Sequence, residues 1–195
     1  MRPFIHALFW LTLTCWIALV VAPGLTGITA FSVLKEEAVV VPKYQAFFAE
    51  DPEGMSRLAA GLVTDPLFRL TSLAQWVLAP LALVLCLIEI RPLRLMPGWA
   101  QSLRVLLLVG ALGLVVYHNA IMGPRMAVEL EDYRVAAAAL DRPLSDAARA
   151  RFDLDHKRAE TLYSMRLLLL LGTVVITAAG VASTRRLGTS DEPAP

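Results

Sequence analysis

Charge is spread unevenly along the chain, and the gaps are informative. Residues 3–34 contain no Asp, Glu, Lys or Arg, and neither do residues 70–88, 105–124 or 167–184. The shortest of these runs has 18 residues and the longest 32. A helix crossing a bilayer core of about 30 Å needs roughly 20 apolar residues. A helix at the surface of a water-soluble core keeps a polar outer face, so it does not stay uncharged for that long. The pattern predicts an all-α integral membrane four-helix bundle, with spans at about 4–31, 70–90, 104–123 and 164–184.

Between the spans the period remains helical. Met126, Leu130, Tyr133 and Ala137 form one stripe after Pro124, and Asp141-Arg142-Pro143 ends it. Ser145, followed by Asp146, is placed to cap a new helix. Ala148, Phe152, Ala159, Leu162 and Tyr163 then repeat at helical spacing into the fourth span. The earlier connection is more broken, with Val39-Val40-Val41-Pro42 and an acidic turn at Glu50-Asp51-Pro52-Glu53-Gly54. Connections at about 35–66 and 124–163 are therefore read as helical extensions beyond the bilayer. Residues 1–187 form a single domain in this reading, and 188–195 a flexible cytoplasmic tail.

Orientation follows from Lys and Arg. Arg2, the short segment with Arg91, Arg94 and Arg104, and Arg185-Arg186 all fall at one end of a four-span bundle. Both termini are expected in the cytoplasm and the two long connections outside. In a bacterium this means an inner-membrane protein with its extensions in the periplasm. The first apolar run continues past Pro23 without a small-x-small cleavage site, so it reads as a retained helix rather than a signal peptide.

Composition sharpens the class. The chain is 57% hydrophobic and 18% charged, with mean hydropathy +0.60. Soluble domains are about 45–50% apolar and about 25% charged. A net charge of +1 gives no concentrated basic face, which argues against a nucleic-acid partner. The expected partners are the lipid bilayer and proteins docking on the outer extensions; the sequence does not set the oligomeric state.

The sharpest chemical pattern is His118, Met122 and Met126, at i, i+4 and i+8 on one helical face, with His156 on the antiparallel neighbour. Imidazole and thioether suit a soft metal such as copper. The same His118–His156 pair is the one candidate for a bis-histidine haem b. Against this, methionine commonly fills core gaps, so no cofactor is the base expectation. Gln75, Asn119, Thr12, Thr14, Thr26, Thr173 and Thr177 are expected to bond across helices. Glu89 reads as an interface ion pair beside Arg91 and Arg94, with a buried proton carrier as the functional alternative, and Arg166 as a cation reaching outward from the fourth span. Ala22, Thr26 and Ala30 form a small-residue row suited to close helix contact. Cys15 and Cys86 have no CxxC partner or nearby base, and no hydrolase or phosphate-loop pattern occurs. The chain is therefore read as non-enzymatic: a scaffold or accessory subunit, with a carrier of a soft metal or small apolar ligand as one alternative and a haem- or quinone-linked electron-transfer subunit as another.

Scattered motifs add a resemblance. Ala22-Pro23 ends the core of the first helix, Ala60-Gly61-Leu62-Val63 with Phe68 precedes the second, Pro124 follows the third, and Phe152 with His156 leads into the fourth. In this order they resemble the transmembrane protein 205-like group, whose bacterial members form domain-of-unknown-function family 4149. Thr26-Gly27 stands where that family often has a Phe, and the 35–58 connection is longer. The resemblance implies a four-helix membrane protein without an assigned activity.

Overall fold

The computed structural model describes residues 2–93 and 98–188. Five α-helices make up most of it: α1 (Arg2–Glu36), α2 (Pro52–Leu93), α3 (Gly98–Tyr117), α4 (Gly123–Ala138) and α5 (Arg142–Gly188). A single π turn, His118–Met122, joins α3 to α4 without a break. Four helical rods result, each long and apolar enough to cross a membrane: Pro3–Glu36, Pro52–Ile90, Gly98–Ala138 and Arg142–Gly180. They run up and down. α1 packs on α2, α2 on α3, α3 and α4 on α5, and α5 returns to α1. The tail expected at 188–195 lies outside the described residues except for Gly188.

Each rod buries one stripe. On α1 it is Phe9, Leu13, Trp16 and Val20, continued by Pro23 and Gly27; on α2, Thr71, Gln75, Ala79, Ala82, Cys86 and Glu89. On α3 it is Arg104, Leu108, Ala111 and Val115, and on α5, Ala159, Arg166, Leu170, Thr173 and Thr177. Spacings of three and four keep each stripe facing its neighbours. The expected row of Ala22, Thr26 and Ala30 is not the buried one. Thr26 is exposed, because the stripe that holds Trp16 inside carries Pro23 and Gly27 with it.

The π turn has a local cause. Pro124 has no N–H for the Ala120 carbonyl, and its ring crowds that carbonyl. Widening the preceding turn relieves the clash, and the Gly123 N–H donates to His118 O, five residues back.

At one end the connections fold into a cap with its own core. Tyr44, Phe47 and Phe48, from the turn after Pro42, pack on Met55, Leu58, Tyr133, Ala137 and Ala148. Arg142 lies over the Phe47 ring at 4.9 Å and donates to Phe47 O at 2.9 Å. Asp51 caps α2, accepting from Gly54 N at 2.8 Å, with Pro52 in the first turn. The cap of α5 is Asp141, which accepts from Leu144 N at 3.1 Å. Ser145 lies inside that helix, fully buried, because Pro143 is tolerated in a first turn and the helix starts earlier than expected. Ion pairs lace the helices near the cap: Arg125 bridges Glu129 and Asp155, and Arg158 also holds Asp155.

α1 and α4 both end on a left-handed residue that is not glycine: Ala38 at φ 46° and Leu140 at φ 62°. The pairs Asp141 N to Ala136 O (3.0 Å) and Leu140 N to Ala137 O (3.2 Å) complete a Schellman end on α4. A side chain in this backbone region costs about 1–2 kcal/mol. Leu140 is 57% exposed, so little packing opposes its removal. Leu140→Gly is therefore expected to raise stability by about 1 kcal/mol. Denaturant unfolding in micelles reads this out, and a loss of stability would contradict the assigned helix end.

Candidate functional site

Two polar clusters lie inside the apolar bundle, and they differ in kind. The first is at the end opposite the cap. Glu89 is 2% exposed, and its two oxygens face different partners. Arg104 donates to Oε2 at 2.7 Å, and His6 Nδ1 lies 2.9 Å from Oε1. Trp10 Nε1 donates to His6 Nε2 at 3.0 Å, and Arg104 covers the Phe9 ring at 4.9 Å. The cluster joins α1, α2 and α3. Glu89 thus pairs with a residue fifteen positions away on the neighbouring helix. The Arg91 side chain and Arg94, its expected partners, lie outside the described residues. With a carboxylate and a guanidinium paired, this cluster is electrically closed, although Arg104 Nε is buried without a hydrogen-bond partner.

The second cluster is open. Arg166 is fully buried on α5, turned into the bundle rather than out to its surface. Its Nη1 donates to Gln75 Oε1 at 2.6 Å and its Nη2 to Leu114 O at 3.1 Å. Trp16 Nε1 reaches the same Gln75 oxygen at 3.4 Å. The guanidinium sits 4.8 Å over the Tyr163 ring, whose other neighbour is His118, edge-on at 5.1 Å. All four rods contribute. The oxygens that meet Arg166 among the described residues are neutral, and no described carboxylate pairs with it. Gln75 Nε2, Arg166 Nε and His118 Nδ1 are buried without a hydrogen-bond partner. A buried donor left unpaired costs roughly 1–3 kcal/mol, and more when it is charged.

The arginine was legible in one respect that its chemistry obscured. Ala159, Arg166, Leu170, Thr173 and Thr177 share one helical stripe, so periodicity alone places Arg166 inside. Charge suggested the surface instead. The small polar residues divide similarly. Gln75 bonds across helices, and Asn119 Nδ2 donates to Ser72 O at 3.0 Å. Thr12, Thr173 and Thr177 donate to carbonyls four residues back on their own helices. A hydroxyl that can close onto its own backbone needs no neighbour. Thr14 and Thr26 are exposed.

The sequence-derived His/Met set is distributed over three environments. His118 and Met122 are buried in the π turn, and Met126 is half-buried on α4. His156 is exposed, stacked on Phe152 at 5.5 Å and paired with Glu160 at 3.3 Å. His156 lies seven residues before Tyr163, the side chain that meets His118, an offset of about 10 Å along the helix. The structure thus brings His118 and Met122 to one turn and leaves His156 a level apart on the surface. A cleft of about 290 Å³ opens beside the π turn, lined by Tyr117, Met122, Arg158, Thr161 and Leu162.

No protein-family model, curated protein or solved structure matches the chain. These comparisons do not bear on the likeness to the transmembrane protein 205-like group.

The closed cluster yields a testable contrast. Arg104→Met leaves Glu89 buried without its guanidinium and is expected to cost about 3–5 kcal/mol. Glu89→Leu combined with Arg104→Met removes both charges and is expected to recover most of that loss. Thermal unfolding in detergent checks it; equal losses in the single and double variants would mean the pair is not coupled.

Proposed function

We propose that the chain is a non-enzymatic, multi-pass membrane protein that binds a ligand within its bundle, at the level where Arg166, Gln75 and His118 meet. The observation that carries this reading is a fully buried arginine whose described partners are neutral oxygens, beside buried donors without partners. Ionisable groups inside membrane spans are costly, and they commonly mark ligand or ion paths. A structural staple has its charges matched, as Glu89 and Arg104 do. The open cluster has one charge too many for a staple, and this charge rather than the unused donors separates the two, since Arg104 Nε in the matched cluster also lacks a partner. This reading requires no resident cofactor. It keeps the likeness to the transmembrane protein 205-like group, which implies a four-helix membrane protein without an assigned chemistry.

Arg166→Met distinguishes a ligand site from a staple. Replacing an uncompensated buried cation with an apolar chain of similar length is expected to leave the ligand-free protein as stable as before, or more so. A fall of several degrees in Tm would make Arg166 a structural residue and end the binding reading.

A second reading, an accessory or scaffold role, is favoured by the cap. Val128 and Val135 on α4 are 61% and 55% exposed, seven residues apart on one face outside the apolar runs. The rods are also longer than a bilayer core requires: Gly98–Ala138 has 41 residues, about 60 Å of helix. We place the cap outside the bacterial inner membrane and both termini in the cytoplasm, on the Lys and Arg distribution. With Cys15 and Cys86 replaced by Ala, Val135→Cys should react with a membrane-impermeant maleimide added from the periplasmic side. Gly98→Cys should react only in inside-out vesicles. The reverse pattern would invert the topology. A Val135→Cys that reacts after purification but in neither kind of membrane preparation would indicate a partner covering the cap.

A further inference from the structure

We infer that the Arg166 site receives the carboxylate of a membrane amphiphile, a long-chain fatty acid, which reaches it through the cleft beside the π turn. This rests on the binding reading above and gives it a ligand class. The charge balance comes first. One guanidinium without a described counter-charge calls for one negative charge on the ligand, which a neutral carbonyl compound does not bring. The donors come next. Arg166 Nε and Gln75 Nε2 lack partners and belong to side chains joined at 2.6 Å. One donor from each of two adjoining side chains can meet the two oxygens of one carboxylate, and the bond from the guanidinium is charge-assisted.

The surroundings separate an amphiphile from a small soluble acid. None of Arg166, Gln75, His118 or Tyr163 lines the cleft, but its wall includes Leu162, one helical turn before Arg166, and Met122, one turn after His118. Its wall is amphipathic, with Tyr117, Met122 and Leu162 on the apolar side and Thr161 with Arg158 on the polar side. Arg158 already holds Asp155 at 2.9 Å, so its charge is matched. The apolar outer surface continues along the rods: Val116 and Leu168 are 42% and 69% exposed. A head group in the bundle and a chain lying on that surface would each find their own kind of environment.

The test uses purified full-length protein in a maltoside detergent, with carboxyl-¹³C oleate and carboxyl-¹³C acetate as probes. Oleate is expected to give one saturable bound carboxyl resonance, distinct from micellar oleate, at one per chain. Arg166→Gln is expected to weaken this binding at least about tenfold, the equivalent of one charged hydrogen bond. Arg69→Gln, at an exposed ion pair outside the cleft, is expected to leave it unchanged. Gln75→Glu supplies an internal carboxylate to Arg166; it should raise Tm and abolish the bound resonance, so the outcome does not depend on the arginine variant folding. Acetate binding as well as oleate would overturn the membrane source, and binding lost in Arg158→Gln but kept in Arg166→Gln would overturn the site. If neither probe binds while Arg166→Met is as stable as the parent, the ligand class is wrong and the binding reading stands. If neither binds and Arg166→Met loses stability, both fail.

Discussion

A guanidinium enclosed by four apolar helices must find its oxygens among them. This constraint organises the middle of the bundle. Water can relax around a surface arginine, but a buried one depends on groups the chain itself supplies. Here they come from Gln75 and from the Leu114 carbonyl, a backbone oxygen already engaged in its own helix. Gln75 is in turn fixed by Trp16 from α1. Contacts running from one residue on α5 thus reach the other three rods at one level. The small residues around it, Ala79, Ala82 and Ala111, let the rods approach closely enough for these contacts.

One polar cluster and one aromatic cluster divide the work of holding the rods in register. Glu89 with Arg104 and His6 ties the end away from the cap, with its charges matched. Phe47, Phe48 and Tyr133 tie the other end through aromatic packing. Between these two closures, the Arg166 level holds a buried charge that no described carboxylate matches. Natural sequences break local consistency of this kind mostly where a site is needed.

The four long apolar helices and the helical course of 124–163 were legible because charge-free length and helical period are properties of the sequence alone, whereas 37–51 of the first connection is turn and a short 3-10 segment instead of helix. The cap residue of α5 was not, because Asp141 and Ser145 are both good caps and only the placement of Pro143 in the first turn decides between them. The site was half legible. His118 stood out by chemistry, while Arg166 was masked by the rule that charge lies outside. Its stripe with Leu170, Thr173 and Thr177 was the overriding signal, since a helix cannot turn one residue outward without rotating the rest. Gln75 could be named as a polar residue in a span, but its partner lies 91 positions away, and only the folded bundle brings the two together.

The π turn at His118–Met122 also determines how the molecule tolerates change. Each residue added to or removed from a helix rotates the remainder of that helix by about 100°. The wide turn before Pro124 is one residue longer than an α-turn would be, so it sets the phase between the bundle half and the cap half of one rod. Loss of a single residue there would leave the apolar half seated and swing Glu129 and Tyr133 away from α5 and the aromatic cap core. A one-residue change at this turn therefore keeps the cap seated only if a second change further along the rod restores the phase.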